Sequence, residues 1–168
     1  MTITVDLCER LAQCIRQIQG VKRCFELPPT VAPNDIEAPL AYIVPQDIVS
    51  AVPFGQAGSQ IVTRNFQIVF LVAELVSSLG VDDGDKGVSA ARTALNISDR
   101  AIRYFLDNPR LQVRNSSGVL LQDAFAKLSS DVSFTTSGLL TTNYAERDFI
   151  GFTLNMTVAY RLVTDQVN

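Results

Sequence analysis

The feature that most constrains this chain is the strict alternation near its C-terminus. Ile150, Phe152, Leu154, Met156, Val158, Tyr160 and Leu162 are separated by Gly151, Thr153, Asn155, Thr157, Ala159 and Arg161. A period of two places successive side chains on opposite faces, so this stretch is predicted to be one long strand with a buried face and a polar face. A strand of that length needs partners and a cover for its apolar face. The rest of the chain must supply both.

The partners are legible further upstream. From Ile61 to Val76 the chain is rich in β-branched and aromatic residues. Phe66, Ile68, Phe70 and Val72 share one face, while Val69 and Leu71 make the other apolar too, so a central strand covered on both sides over its second half is expected. Shorter strands are expected at Val21 to Leu27 and Leu40 to Val44, where Pro45 predicts an edge or a bend. Val119 to Leu121 and Val132 to Phe134 are weaker candidates, and Gln122 to Ser130 has no clear pattern.

Two helices supply the cover. Residues 5 to 19 place Leu7, Leu11, Cys14, Ile15 and Ile18 at helical spacing, with Thr4 as N-cap and Gly20 past the end. Val88 to Leu106 reads as a second helix, with Val88, Ala91, Leu95, Ile102, Phe105 and Leu106 as its stripe and Asp107-Asn108-Pro109 as its stop. The order of helices and strands predicts a single α+β domain over residues 1–168, an antiparallel-rich sheet with two main helices on one face. At 168 residues a core forms without disulfide or metal support.

Composition narrows the function. The chain has no His, which removes the commonest general base, nucleophile partner and metal ligand, so the reading is non-enzymatic and expects no cofactor and no metal. Cys8, Cys14 and Cys24 lack CxxC spacing and read as buried thiols. Asp82-Asp83-Gly84-Asp85-Lys86-Gly87 fails the EF-hand formula and reads as a turn before the second helix. A net charge of −3 with scattered basic residues disfavours nucleic-acid binding. The first residues lack a basic leader, and the longest apolar run, Ile68 to Ala73, is far too short for a membrane helix. Only 18% of residues are charged, and that deficit points to assembly with other subunits.

Two long, polar, small-residue-rich segments, Ser50 to Gln60 and Ser137 to Arg147, read as loops that lead into long strands, as interaction arms or else as mere connections. Phe54 is the one large apolar group of the first. Arg64, Arg147 and Asp148 stand at the loop bases, where the readings are ion pairs to neighbouring subunits or solvated surface pairs. Phe54, Arg64, Arg147 and Asp148 are therefore the candidate interface residues.

The layout resembles the tail terminator proteins of long-tailed bacteriophages. The resemblance runs through a helix ending in Ile18-Gln19-Gly20-Val21, a Pro-rich stretch and Pro39-Leu40-Ala41-Tyr42-Ile43-Val44-Pro45. It continues through a loop, the strand Asn65-Phe66-Gln67-Ile68-Val69-Phe70-Leu71-Val72, a helix and a long final strand. It implies a virion structural protein of the tail and neck, assembled in the host cytoplasm. Such a protein forms a hexameric homo-oligomeric ring, ends polymerisation of the major tail tube protein and joins the tail to neck or head-tail connector proteins, or to a sheath. DNA would pass through its lumen without sequence-specific binding, and no membrane is involved. Another neck, connector or sheath-associated protein has a similar layout. A small-ligand-binding α+β domain is the reading from a different class.

Overall fold

The computed structural model describes residues 3–29, 37–55, 59–75, 84–115 and 117–163. The long C-terminal strand is β8, Arg147–Val163, seventeen residues that span about 55 Å at the usual rise. Its antiparallel neighbour is β3, Ser59–Glu74, with Phe70 opposite Phe152 and Phe66 opposite Met156. On the other side of β3 runs β2, Leu40–Pro53, also antiparallel, and beyond it the short β1, Arg23–Phe25, which is parallel to β2. The sheet is thus mostly antiparallel, as expected for an α+β chain.

The outer edge of β8 is closed by consecutive stretches of chain. Leu128 bridges Tyr160, β6 (Ser133–Thr136) pairs with Leu154–Thr157, and β7 (Leu140–Tyr144) pairs with Arg147–Gly151. Ser137 to Arg147, expected as a loop, is therefore largely a β-hairpin. Its turn residues Ala145 and Glu146 both have positive φ, 53° and 62°, the geometry of a two-residue hairpin turn whose twist matches its strands. The unassigned segment before it supplies the bridge at Leu128. A separate ribbon joins β4 (Val113–Arg114) to β5 (Leu120–Gln122).

Both helices lie on one face. α1, Ile3–Ile15, buries Leu7, Cys8, Leu11, Ala12, Cys14 and Ile15. It begins before Thr4, so Thr4 is a helical residue and not the cap. It also ends earlier than expected, and a tighter turn carries the chain to Gly20, whose φ of 102° packs it beside Ile97 and Arg100. α2 spans Gly84–Asp107 and stops at the expected place. The buried stripe of α2 is Ala94, Ile97, Ala101 and Phe105, whereas Val88, Leu95 and Leu106 are exposed. The expected stripe was rotated because the small Ala94 and Ala101 let the backbone approach the sheet, a geometry that larger residues at those positions would prevent.

The main core joins both helices to Ala41, Ile43, Phe66, Ile68, Phe70, Val72, Phe152, Leu154, Met156 and Val158. The opposite face of the sheet holds a smaller cluster of Leu40, Val69, Leu71 and Phe149, flanked by Phe25, Tyr42 and Tyr144. This accounts for the two-sided apolar character of β3. The register of β3 against β8 shifts between Leu71 and Ala73, and this bulge brings Phe149 opposite Glu74.

Candidate functional site

The segment Ser50 to Gln60, expected as a flexible loop, is mostly strand. Ser50 pairs with Thr63, Ala51 with Val62, Val52 with Ile61 and Pro53 with Gln60, and the Phe54 amide donates to the Ser59 carbonyl at 2.9 Å. Uncharged residues with Val at positions 49 and 52 favour pairing, and Pro53 sits at the strand's end, where its missing N–H costs no ladder bond. Residues 56–58 lie outside the described ones. Between Pro45 and Ser50 the register shifts twice, so β2 bends where Pro45 predicts it.

Beyond that bend β2 leaves the layer covered by helices. Every residue from Gln46 to Pro53 is exposed. Ile48, Val49, Val52 and Phe54 keep 45–60% of their surface in solvent, and Val163 at the end of β8 keeps 64%. The result is a β arm whose outer half of β2 holds apolar side chains in water, while Val62 of β3 and Tyr160 of β8 beside it stay in the core. At its tip the Arg161 guanidinium lies 5.1 Å from the centroid of the Phe54 ring, a cation–π contact that holds both side chains.

At the base of the arm, Arg64 donates from Nη1 to the Thr4 hydroxyl at 3.2 Å, while its Nε is buried without a partner. Further along α1 a cleft of about 430 Å³ opens between the helix and the 122–127 segment. Arg10 forms its back wall: it donates to the carbonyls of Leu111 at 3.0 Å and Asp123 at 2.8 Å and lies over the Phe125 ring. Lys127 pairs with Asp6 at 3.4 Å. Asp123 accepts from the Ala124 amide at 2.7 Å, and with Asp6, Glu9 and Asp123 set against Arg10 and Lys127 the cleft carries a small excess of negative charge. Gln13 donates to Glu9 at 3.4 Å, yet its own Oε1 is buried with no partner.

The remaining candidates stand at the far end of β8. Arg147 forms a two-pronged ion pair with Glu74 and lies over the Phe149 ring. The hydrogen bond from Arg147 holds the Glu74 carboxyl below its ordinary range and raises Arg147 in turn. Asp148 accepts from Asn143 Nδ2 at 2.8 Å. Phe54 and Arg64 therefore share the arm, while Arg147 and Asp148 lie almost a full strand length away, with partners in their own chain.

Two features escaped the sequence reading. Arg161 sits on the polar face of an amphipathic strand, where nothing local marks it. The acidic cleft joins helix residues to a segment more than 100 positions distant. The apolar tip Val119, Leu120 and Leu121 of the β4–β5 ribbon is a third exposed surface.

Among the described residues no group of three or more His, Cys, Asp or Glu is placed to hold a metal. Asp82 and Asp83 lie outside those residues. Among the described residues no helix is long and apolar enough to cross a membrane. No protein-family model matches the chain, and no curated protein matches it.

Proposed function

We propose that this chain is a virion structural protein of a long-tailed bacteriophage, the tail terminator, working as a homo-oligomeric ring. The observation that carries the reading is the β arm. A β arm whose outer strand carries Ile48, Val49 and Val52 in water, with Phe54 just beyond it, is stabilised when a neighbour covers it. The arm and its acceptor are different surfaces of one molecule, so the contact is heterologous and repeats around an axis, closing a ring when the rotation closes.

Capping follows from that geometry. One rim of the ring engages the last ring of tube subunits and the other docks neck or connector proteins, so no further tube ring is added. DNA passes through the lumen, and the net charge of −3 avoids tight retention of phosphates.

The test is assembly with the triple variant Val49→Ser, Val52→Ser and Phe54→Ser. Virions carrying it are expected to show overlong tubes, or tails that never join heads, by electron microscopy. Tails of ordinary length joined to heads in ordinary yield would remove the arm from the mechanism. Native mass spectrometry of the purified chain tests the ring directly. A monomer or dimer that binds a small molecule would favour the ligand-binding reading instead.

A further inference from the structure

We propose that the cleft between α1 and the 122–127 segment is the receptor for the arm tip of a second copy of this chain, which seats Phe54 and Arg161 there. The inference rests on the ring reading above and names the contact that closes it.

The charges are complementary. The cleft holds Asp6, Glu9, Arg10, Asp123 and Lys127. Three carboxylates stand against two cations, so the cleft keeps a small net negative charge: Lys127 pairs with Asp6, Arg10 donates to two carbonyl oxygens, Asp123 accepts from the Ala124 amide at 2.7 Å, and Glu9 accepts from Gln13. The arm tip presents Arg161, which among the described residues has no carboxylate partner and is held in place by Phe54. Arg161 can donate to the Glu9 carboxylate that lines the cleft. Phe54 then lies against Phe125, whose ring already carries Arg10 on one face, as an aromatic anchor in the cleft.

The donor must come from another molecule. Even-numbered residues of β8, from Phe152 to Val158, face the helices, and the alternation sends Arg161 to the opposite side of the sheet. The cleft is lined by α1, on the helix side. No side-chain rotation takes Arg161 through its own sheet. Arm into cleft is a one-way contact, so each copy offers one donor and one receptor.

A charge-exchange cycle with the full chain tests this, read by native mass spectrometry and sedimentation. Glu9→Arg and Arg161→Glu are each expected to weaken self-association about tenfold or more, and the double variant is expected to recover most of it. Both sites are on the surface, and circular dichroism of each variant checks folding. Phe54→Ala supplies an uncharged second probe and is expected to weaken assembly as well. A wild-type ring that every variant forms equally well would overturn the proposal while leaving the ring itself standing. Single losses without recovery in the double variant would also overturn the pairing. A wild-type chain that stays monomeric at every concentration would overturn the ring reading and this contact with it.

Discussion

Gly151 lies so close to the Phe70 carbonyl that no Cβ fits between them. The approach occurs where β3 bulges after Leu71, and it lets Phe70 and Phe152 stack with ring centroids 4.4 Å apart and an interplanar angle of 10°. A methyl group at 151 would push β3 and β8 apart at the point where the core and the far-face cluster meet. Gly151→Ala is therefore expected to destabilise the protein by about 1–3 kcal/mol, the usual cost of overpacking, read as a lower Tm.

The buried face of β8 makes a second prediction. Leu154 is fully buried between Ile68 and the helices. Leu154→Ala should cost about 2–5 kcal/mol, measured by urea unfolding. Leu154→Asp places an unpaired charge in the core and should yield no soluble protein. A wild-type melting temperature for either variant would mean the strand faces the other way.

The three thiols give a chemical test. Cys8, Cys14 and Cys24 are buried and free, and burial pushes Cys8 and Cys14 up to about 11 and Cys24 up to about 12. In the unfolded chain a thiol ionises at its ordinary value, near 9 in the same terms. Between those values the folded state holds protons that the unfolded state has lost. This stabilising contribution is present below about pH 9 and is lost as pH rises toward 11. Native protein at pH 8 should resist maleimide labelling, and all three thiols should label once it is unfolded. Fast labelling of Cys8 and Cys14 in the folded chain would show that the α1 face opens.

The Arg147–Glu74 pair sets a dependence of the opposite sign. Glu74 is held below its ordinary range by Arg147, so its contribution is present above the usual carboxylate pKa and fades as pH falls through the lowered value. Both groups are partly open to water, so the effect is small and screened by salt. Glu74→Gln should lower Tm slightly at neutral pH and low ionic strength and leave it unchanged at acidic pH. An equal loss at all pH values would assign the effect to packing over Phe149.

The α2 surface yields a last expectation. Ala101 is fully buried where the helix meets the sheet, whereas Leu95 is half exposed. Ala101→Leu should destabilise the protein by about 1–3 kcal/mol through overpacking, while Leu95→Ala should change stability by less than about 0.5 kcal/mol, both read by thermal melts. The reverse order would restore the stripe expected from sequence.

Sequence alone determined the elements whose signal is local. The alternation from Ile150 to Leu162, the two-sided apolar run of β3, the helical spacing of Leu7, Leu11 and Ile15 and the stop at Asp107-Asn108-Pro109 each lie within one element, where backbone geometry fixes the period. From these, α+β with two helices on one sheet face was legible. Tertiary structure alone decided everything that depends on a partner distant in sequence. Ser50–Pro53 and Leu140–Tyr144 look like loops by themselves and become strands because β3 and β8 offer them open backbone edges. The α2 stripe turned toward Ala94 and Ala101 because helix rotation is set by close approach to the sheet, which no hydropathy count contains. Arg147 found Glu74 across 73 positions, and Arg161 found Phe54 across the arm, through registers set by the whole sheet and by no single residue's neighbours.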